Sequence, residues 1–142
     1  MQYCTFTIDD MTFGVEVERI QEALRFQAMT PVPLAPPVVG GLVNLRGQIV
    51  TAVDLRRRLG LPERSGTVDP MNLVVRTADG VVSLLVDQIG EVVEVGETGP
   101  EPVPDTVTAP GSELIAGAHQ LAGGLLLVLD TEAATAPLPR SA

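Results

Sequence analysis

Residues 41–54 read Gly41-Leu-Val-Asn-Leu-Arg-Gly-Gln-Ile-Val-Thr-Ala-Val-Asp54. Two short aliphatic runs flank Arg46-Gly47-Gln48, and Gly47 can take the positive φ that a tight turn demands. The pattern is strand, turn, strand. Asp54 closes the second run and stands before Leu55–Leu59, with Gly60 behind. That order fits a helix N-cap, a short helix and a glycine stop.

The same pattern returns 76 residues later. Gly41, Leu45, Gly47 and Asp54 fall on Gly117, Leu121, Gly123 and Asp130. The segments upstream also match, at an offset of 69. Asp10, Val17, Ile20 and Glu22 pair with Asp79, Val86, Ile89 and Glu91, while Phe13 and Val15 fall on Val82 and Leu84. A coincidence of this extent predicts two similar β lobes. Gly41, Gly47, Asp54, Gly117, Gly123 and Asp130 are therefore read as structural turns and caps. Arg46 differs, because its counterpart is Ala122. If the lobes are equivalent, the fold does not require this arginine, and its presence hints at a partner.

The remaining chain is also strand-like. Tyr3–Ile8 alternates, with Cys4, Phe6 and Ile8 on one face, and the pattern resumes at Phe13, Val15 and Val17 beyond an acidic turn at Asp9-Asp10. Ile20–Phe26 reads as a short strand after one helical turn. Met29–Pro37 holds four prolines and must be loop or extended chain. Leu61–Asp69 is a polar linker. Asn72–Arg76 and Val81–Val86 form a hairpin across Ala78-Asp79-Gly80, and Glu91–Val95 is a further strand. Gly96–Gly111, with four prolines and three acids, reads as a long exposed loop. Leu114–Gln120 and Leu125–Leu129 make the last hairpin, and a short Ala-rich helix follows Asp130. The tail from Pro137 is expected to fray.

Composition narrows the function classes. A chain of 142 residues fits one domain or two small intertwined lobes. The net charge is −9 and the nine cations are all arginine. Such a chain is repelled by nucleic acid and anionic lipid without a local basic patch. The cluster Arg56-Arg57-Arg58 is too small for one and reads as a solvated helix face. No apolar run approaches the roughly 20 residues of a membrane span, and the N-terminus lacks a signal-peptide pattern, so a cytoplasmic protein is expected. With one cysteine and one histidine there is no metal-ligand cluster. A Cys4–His119 nucleophilic pair is formally possible, but both residues sit inside strand patterns. Phosphate-binding and nucleophile-elbow motifs are missing. No cofactor, metal or catalytic residue is assigned, and a non-enzymatic binding module is expected. A generic SH3-like module for Pro-rich peptides would need an aromatic groove, which a chain with no Trp and one Tyr does not favour.

The run Gly40–Arg56, with Asn44-Leu45-Arg46-Gly47 and Asp54-Leu55, resembles the signature of the CheW-like domain family. Phe13–Glu22 upstream, and Leu84–Ile89 and Gly124–Asp130 downstream, fit the same family, so the likeness covers residues 2–134. Residues 135–142 are left as a flexible tail. One departure is Thr51, where the family usually has Pro.

The resemblance implies a mainly β fold of two SH3-like five-stranded β-barrel subdomains with short helices. It also implies a stand-alone adaptor that couples chemoreceptor cytoplasmic tips to the regulatory domain of a CheA-type histidine kinase, without DNA or RNA binding or membrane insertion. Such an adaptor is expected to be monomeric when isolated and recruited from the cytoplasm to membrane-associated receptor arrays. A scaffold of the same type in a non-flagellar pathway is the alternative. Ile20, Glu22 and Arg46 match positions on or near the family's receptor-binding face. Asn44 is grouped with them and, with Gly47, shapes the turn. Arg46 either faces a partner or pairs internally with Glu22, and both readings stay open.

Overall fold

The computed structural model describes residues 1–62, 69–96, 101–102, 112–121 and 123–135. Most of the expected linker, long loop and tail, together with Ala122, lies outside the described residues. The strands are β1 Gln2–Ile8, β2 Met11–Glu16, β3 Ile20–Leu24, β4 Val39–Leu45, β5 Gln48–Asp54, β6 Met71–Thr77, β7 Gly80–Val86, β8 Gln88–Glu94, β9 Ile115–Leu121 and β10 Gly124–Leu129. Two short helices, α1 Leu55–Arg58 and α2 Thr131–Thr135, follow β5 and β10. Val17, read as part of a strand, instead opens a 3-10 turn, Val17–Arg19, between β2 and β3.

Two five-stranded sheets form, in the orders β8-β1-β2-β10-β9 and β3-β6-β7-β5-β4. The repeat therefore does not divide the chain into two lobes laid end to end. Each sheet takes one hairpin from one copy and its other three strands from the other copy, so the copies are interlaced. Neither sheet closes into a hydrogen-bonded barrel, because β8 and β9 edge the first and β3 and β4 the second. The register still obeys the offsets. Phe13 pairs with Leu127 in parallel, and its counterpart Val82 pairs with Thr51. The bulge between Ile20 and Glu22 opposite β6 recurs between Cys4 and Phe6 opposite β8. The bulge between Val39 and Gly41 recurs opposite Val128 and Leu129.

Strand alternation sorts the apolar side chains into layers. Cys4, Phe6, Ile8, Phe13 and Val15 of the first sheet belong to one buried cluster with Val53, Leu73, Val75, Leu84 and Val86 of the second. The Phe6 and Phe13 rings stack there at 5.4 Å. Burying each such side chain stabilises the fold by about 2–3 kcal/mol. Each sheet also carries a smaller cluster of its own. One holds Tyr3, Leu126 and Val128, and the other Val43, Val50, Ala52, Val74 and Leu85. Asp54 Oδ1 accepts from Arg57 N at 3.3 Å and Asp130 Oδ1 from Ala133 N at 3.0 Å, so both aspartates cap their helices as expected.

Candidate partner-binding surface

The β4–β5 hairpin turns on two residues, Arg46 and Gly47, with φ of 54° and 87°. Two successive positive φ values match the type I′ turn, whose twist suits a two-residue hairpin. Gln48, expected in the turn, already pairs with Leu45 in the ladder. Asn44 Oδ1 accepts from Gly47 N at 2.9 Å and holds the turn from inside. Gly47 has open space where a Cβ would stand, so conformation alone demands glycine there.

From this turn Arg46 reaches Glu22 on β3. Its Nη1 and Nη2 donate to the two carboxylate oxygens at 2.6 and 2.7 Å, a bidentate pair. The arginine side chain is 76% exposed and the glutamate 17%, so the guanidinium forms the outer layer. The hydrogen bond from Arg46, with its charge and a hydrogen bond from Gln21, holds the Glu22 carboxyl below its ordinary value, against an opposing effect of burial that is larger than that of the charge. Glu22 in turn raises Arg46. Of the two readings left open for Arg46, the internal pair is therefore present, and it leaves the arginine facing solvent. Ile20, two residues before Glu22, is half-buried against the inter-sheet core. Arg76 Nη1 donates to the carbonyls of Glu18 and Ile20 at 3.1 and 3.3 Å and fixes the start of β3. The structure joins Glu22 of β3 to Arg46 at the β4–β5 turn, where Asn44 holds Gly47, while Ile20 packs against the inter-sheet core. Thr51 lies in β5, between Leu42 on β4 and Val82 on β7, with the ladder unbroken.

The arginine cluster is not a solvated helix face. Arg56 is 8% exposed. Its Nε and Nη2 donate to Asp87 at 3.0 and 2.9 Å, Nη2 also meets Asp9, and Nη1 donates to Pro62 O at 2.7 Å. Arg57 Nη1 donates to Pro37 O, and Arg58 donates to the Ala133 and Ala134 carbonyls at the end of α2. These side chains lash loops and helices together, so the fold consumes the only basic cluster the sequence offered. The contact of Arg56 with Asp9 and Asp87 was not read from the sequence, where Arg56 counted only as part of a solvated helix face. One signal was present, because Arg56 falls on Glu132 under the 76-residue offset, a reversal of charge inside an otherwise matched segment.

Cys4 belongs to the inter-sheet core, and burial raises its thiol above the ordinary value. His119 lies instead against Tyr3, with ring centroids 5.5 Å apart. Among the described residues no group of His, Cys, Asp and Glu is placed to hold a metal. No described helix is long and apolar enough to cross a membrane.

The sequence matches the profile of the CheW-like domain over residues 2–136. The chain belongs to the CheW-like domain family. Its curated relatives include the chemotaxis protein CheW of Treponema pallidum, 27% identical over 91% of this chain and 78% of that one. Another is the chemotaxis protein CheW of Rhizobium meliloti, 28% identical over 89% and 82%. The scaffolding protein CheW of Thermoanaerobacter tengcongensis superposes with a TM-score of 0.83 at 22% identity, covering 94% of this chain and 90% of that chain. That likeness carries the fold, and the two open five-stranded sheets with short helices agree with it. Within the matched domain, Asn44-Leu45-Arg46-Gly47 forms the hairpin tip from which Arg46 reaches Glu22.

Proposed function

We propose that this chain is a non-enzymatic chemotaxis adaptor that couples the cytoplasmic tips of chemoreceptors to the regulatory domain of a CheA-type histidine kinase. The observation that carries this reading is the exposed Arg46 guanidinium held by Glu22 on the signature hairpin. Relatives named as chemotaxis proteins over most of their length support it. Glu22 uses two of the five guanidinium donors, and the outer face stays open to a carboxylate or to helix C-terminal carbonyls of a receptor hairpin. The second copy carries Ala122 at this place, so the fold has no general need for the charge. Ile20 and Asn44 support the same patch, one from beneath β3 and one from within the turn. The kinase's homologous regulatory domain is expected to dock sheet edge to sheet edge, and the adaptor to be recruited from the cytoplasm to receptor arrays. The test is a pull-down with a receptor cytoplasmic fragment, run beside a thermal melt. Arg46→Glu is expected to keep the melt cooperative and to lose most of the receptor binding. Unchanged binding by the folded variant overturns the reading.

A further inference from the structure

Two exposed arginines stand at one end of the second sheet. Arg76 of β6 pairs with Val81 of β7, and Val81 packs on the small cluster that holds Val43 and Val50. Val74, two residues before Arg76, belongs to the same cluster and pairs with Glu22. Residues two apart on a strand share a face. Arg76 therefore lies on the face that carries Glu22, and Glu22 holds Arg46. Val81 is half-buried and sits on β7, between Arg76 and the β4–β5 hairpin. The bonds of Arg76 go to main-chain carbonyls, those of Glu18 and Ile20, and among the described residues no carboxylate pairs with it. Two cations and one anion leave this rim with an excess of positive charge, on a chain whose net charge is −9. The copies of the repeat differ here in the cations alone. Glu22 keeps its acid as Glu91, whereas Arg46 falls on Ala122 and Arg76 on Thr7. At the matching corner of the first sheet Asp87 N donates to Thr7 O at 3.1 Å, so that corner closes without a cation. Neither arginine is required by the shared architecture, and both fall on one rim.

We propose that this rim is a docking site for an acidic side chain on a partner helix, and that Arg76 is the residue that selects a carboxylate there. The carboxylate bridges the guanidinium donors that Arg46 and Arg76 leave unused, and the apolar stem of the acidic residue lies over Val81. One incoming carboxylate balances the excess charge of Arg46, Glu22 and Arg76. The proposal rests on the adaptor function, from which the helical form of the partner is taken, and gives the receptor segment a chemistry.

The test is a binding isotherm of a receptor cytoplasmic fragment with the full-length protein and its variants at position 76. Arg76 is exposed, so Arg76→Gln, Arg76→Lys and Arg76→Glu fold, which a thermal melt checks. Arg76→Gln is expected to weaken binding about fivefold and Arg76→Glu roughly tenfold further, while Arg76→Lys keeps most of it, because the charge is what binds. The Glu22 carboxyl midpoint in an NMR titration is expected to stay in place in Arg76→Gln, since Arg76 acts on the partner and not on the Glu22–Arg46 pair. Equal binding by all three variants, or a loss in Arg76→Gln that comes with a raised Glu22 midpoint, overturns the proposal and leaves the adaptor function to stand on Arg46. A wild-type protein that does not bind the fragment overturns the adaptor function instead. The rim is then decided by a blocked, Ala-rich helical peptide with one central Glu, followed on the Nε–Hε resonances of Arg46 and Arg76. Saturable shifts with this peptide and none with its Gln counterpart uphold the site, and the absence of saturation or an equal response to both peptides overturns it.

Discussion

Arg56 and Glu132 occupy equivalent places in the two copies of the repeat and carry opposite charges. Arg56, on α1, reaches the β1–β2 turn at Asp9 and the β7–β8 corner at Asp87. Glu132, on α2, accepts from Ala78 N in the β6–β7 turn at 3.2 and 3.1 Å and pairs with Arg19 at the β2–β3 corner at 2.9 Å. Each clamp joins a helix, a hairpin turn and a crossover between the sheets. The geometry is repeated and the polarity is reversed. Because the copies are interlaced, these clamps lie where the chain passes from one sheet to the other.

Arg56→Met keeps most of the volume and removes the cation. Asp87 and Asp9 then lose a charged partner next to the core. Breaking a buried ion pair from one side costs about 3–5 kcal/mol, and the partial solvation of both aspartates lowers this to about 2–4 kcal/mol. Urea unfolding is the measurement, and a loss below about 1 kcal/mol contradicts the clamp.

At the second clamp both charges are half-exposed, so the coupling is smaller. Arg19→Glu and Glu132→Arg are each expected to destabilise, and the double reversal to recover about 0.5–1 kcal/mol relative to their sum. Recovery remains incomplete, because an arginine at position 132 cannot accept from Ala78 N. A double-mutant cycle by thermal melting reads both quantities.

The sequence carried the strands because alternation and turn glycines are local signals. Cys4, Phe6 and Ile8 face the inter-sheet core as their spacing requires, and Asp54 and Asp130 cap their helices. The interlacing of the copies was not legible, because an internal repeat says which segments are alike and not which of them pair. The parallel contacts of β2 with β10 and β5 with β7 join residues more than 25 positions apart and leave no local trace. Arg56 was misread for a related reason. Three adjacent arginines look like a solvated face when the carboxylates that meet them come from turns 31 and 47 residues away. Arg46 stood out because its counterpart in the repeat, Ala122, carries no charge, although its partner Glu22 lies 24 residues away. The Glu22 pair was one of two compatible readings of Arg46, and the geometry was needed to show that it forms.

The Glu22 carboxyl is held below its ordinary value of 4.5, first by its hydrogen bond to Arg46 and then by the arginine charge. A depressed acid contributes stability that is complete above the unfolded value and is lost as pH falls through the folded one. The pair is therefore constant at neutral pH and opens only below about pH 4.5. Arg46→Ala is expected to raise the Glu22 midpoint back toward 4.5, which a carboxyl NMR titration reads directly. An unmoved midpoint means that the pair is not formed in solution.

The alkaline limb runs in the opposite direction. Burial raises the Cys4 thiol above 9.0, and burial with the charges of Glu16 and Glu18 raises the Tyr3 hydroxyl above 10.0. Both groups stay neutral in the folded chain at a pH where the unfolded chain ionises. Their contribution is complete below the unfolded values and is lost as pH rises from about 9 through the folded ones. Stability in urea is thus expected to fall between pH 8 and about 11, beginning with Cys4. Cys4→Ala should flatten the first part of that decline at a small cost at neutral pH, since it removes one buried sulfur. The thiol is also expected to resist iodoacetamide at pH 8 in the folded chain and to react fully in urea, because the thiolate is the nucleophile and burial suppresses both its formation and its access. Rapid alkylation of the native protein contradicts the placement of Cys4 in the core between the sheets.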